Sequence, residues 1–211
     1  DESMTKASLQ CVKCSKPSTI AGSEGKNVAY CDGCYGEMLT HKFRSALGKR
    51  RVFKDGAAKE ALVVSDGSPS SVFLLGQIRD ALQLNPHQRL VMQPTIVTIV
   101  SSLTPGVLAR VSDDEGHVVH LAAVMRPPEE KLLDKGRDAE EEVRVLSQLL
   151  SSCKSPTSRD EIVRVLKERL ILRVAVELEL STVLTADTAD DLARLSLSAL
   201  CIGRGGQISE M

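Results

Sequence analysis

Cys11, Cys14, Cys31 and Cys34 form two Cys-x-x-Cys pairs with sixteen residues between them. Each such turn can present two thiolates to one ion while its backbone N–H groups steady their charge, and two turns complete a tetrahedral shell. The spacing lies in the range of zinc ribbons. Four thiolates leave no open coordination position, so the expected metal is a structural zinc that folds a segment too small to bury a core of its own. Redox Cys-x-x-Cys pairs normally open a helix after a strand of a larger fold, which is not the setting of Cys11-Val12-Lys13-Cys14. His41, seven residues past Cys34, is surplus to a filled quartet and reads as a surface or RNA-facing group.

A second chemistry sits in Ser65, Asp66, Gly67, Ser68, Pro69, Ser70 and Ser71, which follow an apolar run and precede a helical pattern. A strand, a loop of small residues and a helix leave backbone N–H groups able to meet phosphate. The stretch is neither a Walker A loop nor a dinucleotide fingerprint. Its counterpart is Thr185–Leu192, where Asp187, Asp190 and Asp191 stand before or at the start of a helix. There they can complement the helix dipole, with Thr188 or Asp190 as N-cap, or one of them can contribute to a metal and phosphate site. A third group is basic: His41, Lys42, Arg44, Lys49, Arg50 and Arg51. Such cations either face solvent or reach nucleic-acid phosphates on successive helical turns, giving salt-dependent, largely sequence-independent affinity. Cys201, among Leu197, Leu200 and Ile202, reads as core, and Cys153 in its Ser- and Lys-rich setting reads as exposed.

The elements that must position these groups follow from hydrophobic periodicity. Residues 1–10 read as a polar tail, and 11–48 as a zinc ribbon with short strands at 19–21 and 28–30 and a helix carrying Met38, Leu39, Phe43, Ala46 and Leu47 that stops at Gly48. Residues 49–60 are charged and contain Asp55-Gly56, the mark of a linker. Beyond it lie a strand at 61–65, a helix over 72–82, strands at 95–100 and 117–124, and a helix from Glu129 to about Ser152. A second long helix over 159–178 is opened by a capping box of Ser158 and Glu161. A strand at 182–185 and a final helix stopped by Gly203, Gly205 and Gly206 complete the pattern.

Composition narrows the function classes. Lys plus Arg number 27 against 28 Asp plus Glu, so any basic surface is local and the chain is no polyelectrolyte. Aromatics make up 2% and Trp is absent, which argues against base-stacking platforms and for phosphate and shape contacts with any RNA. No apolar run reaches the length that spans a bilayer, so no membrane role is expected. Paired cysteines without a signal-peptide core fit a reducing compartment, the cytosol or nucleus.

Ser65, Gly67 and Ser70 match the frame of the SGGxDS pyrophosphate loop of ATP pyrophosphatases, and Thr185–Ala193 resembles their TGHNADDxAE segment. With a zinc ribbon followed by HKFRSALGK, the chain resembles the companion subunits of cytoplasmic tRNA 2-thiolation complexes, over about residues 11–85 and 157–206. Residues 86–156 carry no such likeness. The resemblance implies an α/β fold of the adenine-nucleotide alpha-hydrolase (PP-loop) type, a parallel sheet with helices on both faces over residues 61–211. That domain is expected to be incomplete, because the family continues past the element matched by Gly203, Arg204 and Gly205. It further implies a cytoplasmic complex in which a catalytic subunit uses ATP to adenylate the wobble uridine of tRNA, with sulfur from a thiocarboxylated ubiquitin-related carrier protein.

Departures from the family's pattern bear on catalysis. Asp66 stands where the second glycine belongs, Pro69 replaces the acidic position, and the histidine of the second segment is lost. A carboxylate beside a triphosphate adds repulsion, and proline removes an N–H donor, so ATP chemistry is expected on the partner and not here. Two rival readings are a self-sufficient ATP-dependent tRNA thiolase and a zinc-ribbon adaptor without a tRNA role.

Overall fold

The computed structural model describes residues 10–22, 25, 28–49, 60–84, 90, 92–101, 116–133 and 139–206, with Gly48 and Lys49 described by backbone alone. The chain divides into two compact units, Asp1–Ala57 and Ala58–Met211.

In the first unit, β1 (Ile20–Ala21) pairs antiparallel with β2 (Ala29–Tyr30), Ile20 opposite Tyr30. Gly22 is required at the turn, since a Cβ there would stand 2.8 Å from Val28 Cγ1. Helix α1 (Asp32–Lys49) begins before Cys34, earlier than hydrophobic spacing alone indicates. The reason is local: Tyr35 N–H donates to Cys31 O, so the second cysteine turn is itself the first turn of the helix.

The second unit is built on a four-stranded parallel sheet in the order β5-β4-β3-β6, comprising β3 (Glu60–Ser65), β4 (Gln93–Val100), β5 (His117–His120) and β6 (Val183–Leu184). β3 is buried from Ala61 to Ser65, the near-continuous apolar run expected of a parallel strand covered on both faces. Leu62, Val64, Val97, Ile99 and Val119 form one core with Leu146 and Leu150 of α3 (Glu140–Ser151) and Leu170, Ile171 and Val174 of α4 (Pro156–Glu177). Strand alternation turns Ala61 and Val63 the other way. Helix α2 (Pro69–Gln83) packs against β3 and buries Ile78 and Ala81. Helix α5 (Ala189–Cys201) follows β6. The segment from 86 to 156 thus supplies two of the four strands, β4 and β5.

Three expectations are corrected. The run 117–124 is a strand only to His120; Leu121–Met125 is a 3-10 helix in which Leu121 to Val124 are all buried, a pattern no alternating strand allows, and His120 Nδ1 caps it by accepting from Ala122 N–H at 3.0 Å. Residues 129–133 are not helical, and 134–138 lie outside the described residues. The backbone here finds its partners on α4 in place of helical bonds. Arg173 donates to the carbonyls of Val124, Arg126 and Pro127, while Glu177 accepts from the N–H groups of Leu132 and Leu133. Finally, α4 opens at Pro156 with Ser155 as N-cap, accepting from Ser158 N–H, so Ser158 and Glu161 form no capping box; Glu161 instead pairs with Arg164 at 2.6 Å.

Candidate functional site

The cysteine quartet comes together from both ends of the ribbon. Cys11 N–H donates to Lys16 O and Ser15 N–H to Cys11 O, closing a tight turn in which Ser15 takes a positive φ of 58°. Val12 N–H donates to Ala29 O, which ties this turn to β2, and Thr19 Oγ1 donates to Asp32 Oδ1 at 2.5 Å, which ties β1 to the start of α1. The sulfurs of Cys11, Cys14, Cys31 and Cys34 all lie within 4.8 Å of one another, with Cys14 and Cys31 at 3.5 Å. Among the described residues no second group of His, Cys, Asp or Glu reaches this geometry.

The protons of the quartet are unevenly held. A backbone hydrogen bond from Cys31 draws the Cys11 thiol down to about 6, while hydrogen bonds with Cys14 and then Cys31 push the Cys34 thiol up to about 12. The Cys11 thiolate thus forms readily, while the Cys34 proton is retained because it is shared with the neighbouring sulfurs. A divalent cation is what lets all four ionise together. His41 is exposed on α1 and is no member of the set.

On α1 the side chains of His41, Lys42 and Arg44 are exposed, while Met38, Leu39, Phe43 and Leu47 are half-buried as the helical spacing requires; Ala46, expected on the same face, is exposed. The Lys49 side chain, Arg50 and Arg51 lie outside the described residues.

The two loops of the α/β unit leave the carboxyl ends of neighbouring strands. From β3 the chain proceeds through β4 and β5 on one side and returns to place β6 on the other, so the loops after β3 and β6 flank the point where strand order reverses. Ligand crevices of open α/β sheets form there. In the first loop Gly67 has φ +75°, a conformation that favours glycine. Ser68 caps α2, its Oγ accepting from Ser71 N–H at 3.3 Å, and its Oγ lies 3.1 Å from Ser70 Oγ. Buried Ser71 donates to Ser68 O, and Ser65 Oγ stands 3.5 Å from Ser71 Oγ. Pro69 is the first helical residue, so the helix end lacks its N–H.

Asp66 is the loop's charged member. Its Oδ1 accepts from Ser68 N–H at 3.1 Å, and its Oδ2 pairs with Lys167 Nζ of α4 at 2.6 Å. Burial alone would raise its pKa, but the Lys167 hydrogen bond, with help from Ser68, holds the carboxyl well below the usual range. Lys167 went unseen in the sequence, since 101 residues separate it from Asp66 and only the packing of α4 brings it to the loop.

In the second loop Thr185 Oγ1 donates to Asp187 Oδ2 at 2.6 Å. Thr188 caps α5 in a reciprocal box: Asp191 N–H donates to Thr188 Oγ1, and Asp191 Oδ2 accepts from Thr188 N–H. Those hydrogen bonds from Thr188 lower the Asp191 pKa, and nearby Asp66 opposes them. Asp190 is exposed in the first turn of α5. The two loops therefore lie close enough for the Asp66 charge to act on Asp191.

Both remaining cysteines differ from expectation. Cys201 is exposed, as are Leu197, Leu200 and Ile202, so this face of α5 is not core in the described unit; α5 buries Ala199 instead. Cys153 is half-buried, its Sγ 3.5 Å from Leu149 O at the end of α3.

No protein-family model matches the chain. Among curated proteins, it is 37% identical to cytoplasmic tRNA 2-thiolation protein 2 of Caenorhabditis elegans, an alignment covering 96% of this chain and 61% of that protein. The Caenorhabditis briggsae protein of the same name is also 37% identical, over 95% of this chain and 61% of its own length, and the Bos taurus one is 25% identical, over 93% and 50%. The chain thus spans one half to about three fifths of these relatives. Among solved structures, the U34-tRNA thiolase NcsA of Methanococcus maripaludis, determined with its 4Fe-4S cluster, superposes with a TM-score of 0.61 at 16% identity, covering 92% of this chain and 59% of that one. That likeness establishes a common α/β fold.

Proposed function

We propose, from the premise that the chain is a homologue of cytoplasmic tRNA 2-thiolation protein 2, that it serves as a non-catalytic subunit in 2-thiolation of the wobble uridine of cytoplasmic tRNAs. The observation that carries this reading is the likeness itself, 37% identity sustained over 96% of the chain. ATP and the adenylation step belong to a catalytic PP-loop partner subunit, and sulfur reaches that partner from a thiocarboxylated ubiquitin-related carrier protein. The place of work is the cytoplasm; no described helix is long and apolar enough to cross a membrane.

The loop supports the non-catalytic assignment. Phosphate loops work by offering N–H groups and cations to an anion. Here the Ser68 N–H and Lys167 are engaged by the Asp66 carboxylate, and Pro69 contributes no donor.

The quartet is assigned to structural zinc. Sulfurs sharing one tetrahedral ion at about 2.3 Å stand about 3.8 Å apart, a spacing the present cluster reaches with little adjustment. Cysteines on the separate irons of a cubane cluster stand further from one another. The zinc orients α1, and its His41, Lys42 and Arg44, continued by Lys49, Arg50 and Arg51, contact tRNA phosphates.

Cells lacking the endogenous homologue test the reading directly. Expression of the chain, in its full natural length, should restore 2-thiouridine in bulk tRNA as measured by mass spectrometry. Absence of rescue by a well-expressed protein would sink the assignment. Robust pyrophosphate release from ATP and tRNA by the purified chain alone would move it to the self-sufficient enzyme. Unchanged tRNA affinity after substitution of Lys49, Arg50 and Arg51 by Ala would remove the basic-patch assignment.

A further inference from the structure

The geometry points to Asp66 as a built-in anion: its carboxylate fills the phosphate position of the β3–α2 loop and, by pairing with Lys167, closes that loop to nucleotide. The proposal rests on the reading of this stretch as a nucleotide loop that departs from the active pattern. It adds that the loop is internally ligated by its own chain.

Two contacts from different elements converge on the one side chain. Oδ1 accepts the loop's own Ser68 N–H at 3.1 Å, and Oδ2 holds Lys167 Nζ at 2.6 Å from α4, with both side chains about two thirds shielded from solvent. A carboxylate whose two oxygens accept, one a backbone N–H and the other an ammonium, makes the kind of contacts that phosphate oxygens make in such loops. Among the described residues Lys167 pairs with Asp66 alone. An incoming pyrophosphate would therefore have to break this pair, and then face Asp66 and the neighbouring charge of Asp191. Simple repulsion by Asp66 would leave Lys167 available to pull an anion in. Internal pairing removes that attraction as well, so the two charges act as a single latch.

The arrangement makes an unusual prediction, that deleting a carboxylate creates a ligand site and that the site depends on a lysine 101 residues away. The full chain, loaded with its metal, is titrated with inorganic pyrophosphate and with ATP by calorimetry, as wild type, D66G, D66N and D66G/K167M. D66G should bind pyrophosphate tighter than wild type by about tenfold or more, the effect of removing a like charge from beside an anion in a half-exposed site. D66N should show a smaller gain, since Asn keeps the hydrogen bond to Ser68 N–H and the room it fills while releasing Lys167. K167M in the D66G background should abolish the gain.

D66N preserves size and loop geometry, so it serves as the readout if D66G fails to melt like wild type. Wild-type binding as tight as either variant, no gain in a variant with native melting, or a gain that survives K167M would each overturn the latch. Loss of thiolation rescue in cells would instead remove the functional reading while leaving a Lys167-dependent gain intact. The two failures are thus distinguishable.

Discussion

The four-cysteine module and the α/β unit place their chemistry on opposite supports. In the module the strands are two residues each, and its buried residues are few, Cys11, Ala29 and Tyr30 among them, so little apolar surface is removed from water. On the proposed zinc assignment, metal–sulfur bonds supply the folding energy, and the ligands cannot change without losing the structure. In the α/β unit, Leu62, Val63, Val97, Leu170 and Val174 are fully buried, and none of them belongs to the loops at the carboxyl ends of the strands. The fold stands whether or not those loops bind anything. A carboxylate can enter such a loop with no structural consequence beyond a new ion pair, which is what Asp66 and Lys167 display. A site that makes the fold is held fixed by stability; a site carried by the fold is not.

The largest effect expected from this contrast is selective collapse of the module. Chelation, or Cys14→Ser, should unfold residues 11–49 and leave the α/β unit intact, because structural zinc contributes on the order of 10 kcal/mol to the folding of small modules. Nuclear magnetic resonance before and after chelator would show module resonances collapsing while those of Leu62 and Val97 stay in place. Elemental analysis should give one zinc per chain and no iron. Simultaneous loss of both sets of resonances would break the comparison.

The converse perturbation is Leu170→Ala, at a site with no exposed surface in the core beneath β3 and β4. A cavity there should cost about 2 to 5 kcal/mol by urea unfolding of the α/β unit. Zinc content and the module's resonances should not change. Metal loss at native temperature in this variant would mean that the two units fold as one.

Legibility in the sequence followed the same division. The quartet could be read from Cys11 to Cys34 because ligand spacing is local and the chemistry tolerates few arrangements. Helix α2 was legible from apolar spacing, though not its Ser68 cap, and for α5 the structure selects Thr188 over Asp190 as the N-cap. The 3-10 turn at 121–125 was not, because a continuous buried run has no period to read. Neither were the partners of residues 126–133, which are supplied by Arg173 and Glu177 from a distant helix. The Cys201 face misled because apolar spacing shows which residues share a face of α5 and does not say whether that face is buried. At the loop the departures at Asp66 and Pro69 were visible, while Lys167 required the packing of α4.

A smaller effect tests how far core packing dominates local backbone strain. Helix α4 ends in a reversal in which Leu180 N–H donates to Ala175 O at 2.8 Å and Glu179 N–H to Val176 O at 3.1 Å. This places Glu179 at φ +57°, in the left-handed region where a side chain is strained and glycine is favoured. Glu179→Gly should stabilise the α/β unit by up to about 1 kcal/mol, seen as a higher melting temperature. A lower melting temperature would show that the Glu179 side chain contributes more than its strained backbone costs.

The smallest expected effect concerns the Asp66–Lys167 pair as a contributor to stability. The folded Asp66 carboxyl is depressed below its ordinary 3.8 because Lys167 and Ser68 outweigh the opposing effect of burial. A depressed acid contributes stability that is fully present above its unfolded pKa and is lost as pH falls through the folded one. Between pH 7 and 5 the contribution is therefore constant, and it declines only below about pH 4. The pair is about one third exposed, so solvent screening limits it to a few tenths of a kcal/mol. Urea unfolding of wild type and D66N across this range should give parallel stabilities above pH 5 and converging ones below pH 4. Metal loss in acid is common to both proteins and cancels in the difference. A difference of several kcal/mol would mean that the loop does carry the fold, and the contrast with the cysteine module would then fail at the point where it is most exposed to test.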